Sequence, residues 1–186
     1  MSAKDSAARY CTAKAAATVG VFYKESEMRK PELAPLKLSN PLHLLALGFG
    51  SGLSPIMPGT MGTLAAIPLY LLIQGLAAPW YILLLVVGFL VGIPICNAAT
   101  RAIGRHDHGA IVWDEIIGFG ITMFAAPSGV GWIVAGFVLF RFFDIVKPWP
   151  ISWCDKRVSG GFGIMIDDVI AGVFALVGMQ LLAQFW

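Results

Sequence analysis

Residues 38–100 contain no Asp, Glu, Lys or Arg. A stretch that long without charge reads as membrane-embedded helix, with a very apolar soluble core as the alternative. Seven of the eleven acidic residues then fall between Asp107 and Asp168, squeezed among further apolar runs. Carboxylates beside membrane helices are costly unless they do a job. The pattern predicts a small integral membrane protein with an acidic centre on one membrane face.

Composition agrees. The chain has 186 residues, enough for one domain, of which 58% are hydrophobic and 13% charged. Soluble domains carry about a quarter of their residues charged. The net charge of +2 and the lack of a basic stripe with interleaved aromatics argue against nucleic acid as a partner. Cys11, Cys96 and Cys154 are too few and too widely spaced for a disulfide framework or a zinc site. Residues 1–37 show no secretory signal pattern. They are read as a flexible or amphipathic N-terminal extension, and residues 38–186 as the membrane-embedded domain.

Punctuation by Gly and Pro divides that domain. Residues 40–49 are a short apolar segment, and 50–63 a loop rich in Gly, Pro, Ser and Thr. Apolar runs follow at 64–77, 80–96, 111–126 and 130–146, and a last helix at 167–186. Polar loops lie at 101–109 and 149–163, and the fourth run must end near Lys147 because Pro148 and Pro150 follow. The expected fold is all-α, a polytopic bundle of about five helices. All thirteen Lys and Arg fall on one side of this topology. Positive loops stay in the cytoplasm, so the loops near Thr60, Arg101 and Lys147 are expected there. Trp80, Trp132 and Trp186 then mark the outer interface, and Trp113, Trp149 and Trp153 the inner one.

Three charged groups converge on the cytoplasmic face in this topology. Asp114 and Glu115 open the third helix, Arg141, Asp144 and Lys147 close the fourth, and Asp167 and Asp168 open the fifth. Acids in a first helical turn are ordinary caps. Asp144 is not, since an acid at a helix C-terminus opposes the dipole, although Arg141 and Lys147 flank it at three-residue spacing. Hard divalent cations such as magnesium want oxygen ligands and bind substrate phosphate, while Arg and Lys suit phosphate oxygens. The loop containing Gly59, Thr60, Gly62 and Thr63 precedes a helix and offers backbone donors to an anion. His106 and His108 read as surface residues. The set fits metal-assisted phosphoryl chemistry at a membrane surface. The alternative is a small transporter or channel using interfacial carboxylates.

Four stretches closely resemble the phosphatidylglycerophosphatase A family: residues 48–68 (GFGSGLSPIMPGTMGTLAAIP), 106–115 (HDHGAIVWDE), 140–151 (FRFFDIVKPWPI) and 160–168 (GGFGIMIDD). Together they cover most of residues 40–175, and the N-terminal 37 residues look longer than the family usually has. The resemblance implies a magnesium-dependent lipid phosphatase of the bacterial inner membrane that removes the terminal phosphate of phosphatidylglycerophosphate. On that reading Asp114, Glu115, Asp144 and Asp168 are catalytic and hold or orient magnesium, with Asp167 as a further ligand or a cap. Arg141, Lys147, Gly59, Thr60, Gly62 and Thr63 bind the phosphate.

Overall fold

A computed structural model describes residues 33–105 and 108–185. His106, Asp107 and Trp186 lie outside the described residues, as does nearly all of the N-terminal extension. The described residues form seven α-helices and one 3-10 segment, and no strand. The helices are α1 (Pro41–Ala46), α2 (Pro58–Ile73), α3 (Ala78–Ile103), α4 (Trp113–Thr122), α5 (Val130–Val146), α6 (Ile151–Arg157) and α7 (Gly160–Phe185), with the 3-10 segment at Gly48–Leu53. All belong to the compact unit Pro35–Trp186.

Local chemistry explains the boundaries. Asn40 accepts a hydrogen bond from the Leu42 N–H and Pro41 opens α1. Pro58 opens α2 directly after Met57, whose φ of 49° turns the chain. Gly104, at φ 74°, stops α3 in the left-handed conformation that glycine adopts without strain. Gly129 and Lys147 bracket α5. The start of α7 depends on a distant residue: Asn97 Oδ1, on α3, accepts from the Gly161 N–H at 2.7 Å.

Three sequence expectations need correction. There are more helices than five, because 41–46, 48–53 and 151–157 form short helical segments outside the five runs counted. The last part of the expected loop at 50–63, Pro58–Thr63, forms the first two turns of α2, since proline at a helix start needs no partner for its missing N–H. The third apolar run forms a helix of only 10 residues, roughly 15 Å long against a hydrocarbon core of ~30 Å. It does not span. Helices α2, α3, α5 and α7 all pack against α4, and Asp114 through Phe119 are buried. A helix apolar all round is a core helix, so α4 is the axis of the bundle.

The outer surface is correspondingly apolar. Helices α3 and α7 are long and apolar enough to cross a membrane. A core helix of a soluble protein would pass the same test, but only 22% of the most apolar window of α3 is buried. Ile82, Leu83, Leu84, Val86, Val87 and Leu90 are all exposed. An exposed apolar surface of that extent on a helix of spanning length is what a membrane protein presents to its surroundings. Trp80 stands exposed at one end of the bundle, and Trp149 and Trp153 at the other. Trp113 is not an interface residue: its indole N–H donates to Gly88 O across the α3–α4 contact at 3.0 Å.

Candidate active site

The carboxylates are brought together by a backbone crossing. A Cβ added to Gly172 of α7 would stand 2.5 Å from Gly118 O, and one on Gly118 of α4 would stand 2.8 Å from Asp168 O. Only glycine lets the two helices approach so closely. The Thr122 hydroxyl, donating to Gly118 O at 3.0 Å, lies beside Gly172 O at 3.4 Å. One turn from this crossing, α4 carries Asp114 and Glu115, and α7 carries Asp168. Residues three or four apart share a helix face, so the crossing presents the three acids to one another.

Oxygen atoms of Asp114, Glu115 and Asp168, one from each, lie within 4.8 Å of one another, and all three residues are buried. Like charges at that spacing repel by roughly 3 kcal/mol per pair at an effective dielectric of about 20. Glu115 Oε2 and Asp168 Oδ2 are buried without a hydrogen-bond partner. A buried anionic oxygen left that way is expensive, and a cation coordinated by oxygen relieves it. The cluster could therefore hold a metal ion, and its all-oxygen donor set suits a hard divalent one.

Arg141 and Asp144 complete the wall. Arg141 Nη1 donates to Asp144 Oδ2 in a close contact and lies 3.9 Å from Glu115 Oε1. Asp144 is also a neighbour of Asp168. The first turn of α2 faces the same group. A Cβ on Gly59 would collide with Glu115 Oε1 and stand 3.1 Å and 3.3 Å from the two Arg141 Nη atoms. Asp114, Glu115, Arg141, Asp144, Asp168 and Gly59 therefore form one assembly, and Thr60 is half-buried beside it.

Other residues expected in the site are engaged elsewhere. Asp167 Oδ2 accepts from Lys147 Nζ at 2.6 Å, because successive helical residues point about 100° apart and Asp167 cannot face the same way as Asp168. Both acids sit well inside α7, which starts at Gly160, so capping does not explain them. Lys147 Nζ also donates to Asp155 Oδ1 at 2.7 Å. Burial works against the charged form of Lys147, but the bonds to Asp155 and Asp167 outweigh it and raise its pKa above the ordinary lysine value. Gly62 packs on Val112, and the buried Thr63 hydroxyl donates back to Gly59 O at 3.0 Å. These two are taken up by helix packing. His108 is buried rather than on the surface, its Nδ1 accepting from the Ala110 N–H at 3.1 Å.

Asp155 escaped the sequence reading because a lone acid in a polar loop looks like any surface residue. Its only signal was a position eight residues from Lys147 across two prolines. Gly118 and Gly172 gave no chemical signal at all.

The family model described as Phosphatidylglycerophosphatase A matches residues 44–183. The chain belongs to the phosphatidylglycerophosphatase A family. It is 52% identical over 152 residues to phosphatidylglycerophosphatase A of Escherichia coli, covering 81% of this chain and 88% of that protein. It is 46% identical over 156 residues to phosphatidylglycerophosphatase A of Haemophilus influenzae, covering 83% and 95%. A putative phosphatidylinositol-3-phosphatase of Bacteroides thetaiotaomicron is 39% identical over 158 residues, covering 81% and 94%. No solved structure matches the chain. Every member of the buried assembly lies inside the family match, and residues 1–37 lie before it.

Proposed function

We propose that the chain is a membrane lipid phosphatase, a phosphoric monoester hydrolase that converts phosphatidylglycerophosphate and water to phosphatidylglycerol and inorganic phosphate. The observation that carries this reading is the convergence of the Gly59 backbone, the Arg141 guanidinium and the Asp114–Glu115–Asp168 cluster at one end of a lipid-facing bundle. Family membership supports the substrate.

Asp114, Glu115 and Asp168 would hold magnesium, and Asp144 borders them while bonding Arg141. Bound there, the metal supplies positive charge to the phosphate oxygens and makes a nearby water a better nucleophile. Arg141 binds the phosphate through its two Nη atoms. The first turn of α2, with Gly59 packed against Glu115 and Arg141, brings a helix N-terminus to the cluster, and its free N–H groups favour an anion. Lys147, held by Asp155 and by Asp167, the chain neighbour of Asp168, would add positive charge for the headgroup. As water attacks phosphorus, a carboxylate of the cluster accepts its proton; the P–O ester bond breaks with its electron pair on the glycerol oxygen, which takes up that proton to become the free hydroxyl of phosphatidylglycerol.

The Lys and Arg residues gathered at the site's end of the bundle support a cytoplasmic orientation of the site in the bacterial inner membrane. Residues 38–186 form the catalytic domain and residues 1–37 an extension to it. Purified protein should release phosphate from phosphatidylglycerophosphate with magnesium. Chelation should stop the release and added magnesium should restore it. No release under any metal condition would overturn the reading.

A further inference from the structure

One face of α2 runs from the acid cluster into an apolar groove. Gly59 meets Glu115 and Arg141, Gly62 meets Val112, and Ala66, Leu69 and Ile73 line the groove. Those positions recur at three- and four-residue spacing, the period of a single helix face. The groove has a volume of about 400 Å³ and is lined also by α3 and α4. Trp113 and Ile116 wall it, and they are the chain neighbours of Asp114 and Glu115. It extends along α4 to Gly120, seven residues or roughly 10 Å from Trp113. The Trp113 indole is tied to Gly88 O, so the near end of the wall is fixed in place. Leu84, Val87 and Val91 form the rim on α3, and all three belong to its exposed, lipid-facing surface.

We infer that this groove seats an acyl chain of the substrate lipid. The inference rests on the phosphatase reading and adds a second binding region to it. The occupant must be apolar, because the lining offers almost no polar group. It must be able to enter from the bilayer, because the rim opens on the lipid-facing side of α3. It must also be joined to a headgroup at the carboxylates, because the same α2 face serves both regions. A phospholipid whose phosphate sits at Arg141 meets all three conditions, and its chain descends along Ala66 and Leu69. Burying methylene groups against a preformed apolar wall favours binding without taking part in the chemistry. The groove therefore sets affinity for the lipid and leaves the chemical step to the carboxylates.

The test compares two substrates in mixed micelles: long-chain phosphatidylglycerophosphate, and the same headgroup with both chains removed. Val87→Trp and Val91→Trp place an indole at the groove rim without disturbing a buried position. Val86→Trp puts the same bulk on an exposed site outside the groove. Each rim variant is expected to raise KM for the long-chain lipid about tenfold relative to the chain-free headgroup, the scale on which small changes in apolar pockets discriminate substrates. Val86→Trp should leave that ratio at the wild-type value. A ratio unchanged in both rim variants means that ordinary bilayer lipid fills the groove, and it overturns the inference. So does an equal shift in Val86→Trp. A wild-type protein inert toward both substrates overturns the phosphatase reading itself, and the groove assignment falls with it.

Discussion

Gly118 and Gly172 meet backbone to backbone where α4 crosses α7, one helical turn from Glu115 and Asp168. The separation of the carboxylates is thus set by the absence of two side chains. Gly172→Val is expected to force the helices apart, destabilise the protein by about 1–3 kcal/mol, and lower phosphate release by more than the loss of folded protein explains. Gly178→Ala is the control. Its Cβ would meet Leu139 at 3.4 Å, an ordinary contact, and removing a helical glycine should be neutral or stabilising by up to about 1 kcal/mol. Unfolding in detergent, measured beside activity, separates the two effects. Equal behaviour of both variants would show that the crossing does not control the site.

Crowding Asp114, Glu115 and Asp168 is unfavourable until a cation arrives, and this gives a thermodynamic signature independent of turnover. Magnesium should raise the unfolding temperature of the wild type, with about 2.7 kcal/mol of stabilisation at a hundredfold excess over Kd. Glu115→Gln removes one of the repelling charges. Without metal it should be at least as stable as the wild type, and magnesium should shift it far less. A wild type indifferent to divalent cations would leave the cluster without its proposed role.

Asp144 can be tested by charge alone. Asp144→Asn keeps the shape of the side chain that meets Arg141 but weakens its hold on the guanidinium and removes a charge beside Asp168. Turnover is expected to fall by about a hundredfold or more, the usual scale for a displaced electrostatic group at a reacting centre. Membrane insertion and the unfolding midpoint should stay close to wild type. Near-normal phosphate release from this variant would remove Asp144 from the machinery.

The acid pairs were legible in the sequence because charge stands out against apolar runs. Asp114 and Glu115 do open a helix, and Arg141 and Asp144 do share the end of another. The placement of α4 was not legible, because an apolar run of ten to sixteen residues reads alike whether it faces lipid or other helices. The start of α7 was missed because Gly160–Gly161 looks like a loop until Asn97, 64 residues away in sequence, caps it. Sequence spacing likewise could not separate Asp167 from Asp168. Only the direction of the helix sends one to Lys147 and the other to Glu115. The packing of α4 and the start of α7 depend on partners distant in the chain.

Lys147 offers a pH-dependent test of its double pairing. Its Nζ lies 2.7 Å from Asp155 and 2.6 Å from Asp167, and the raised pKa keeps it charged in the folded protein beyond the unfolded value of 10.5. A raised folded pKa stabilises fully below the unfolded value and loses that contribution as pH climbs through the folded one. Wild-type stability should therefore be insensitive to Lys147 at neutral pH and decline above about pH 10.5. Lys147→Arg, whose charge persists at that pH, should decline less steeply over the same range. The difference between the two curves isolates Lys147 from the other titrating residues. Lys147→Met removes the cation and leaves Asp155 and Asp167 facing each other. Asp155 is partly exposed and solvent screens much of the pair, so the expected cost at neutral pH is about 1–3 kcal/mol. Parallel alkaline curves for wild type and Lys147→Arg would show that the two carboxylates do not hold the ammonium in the folded state.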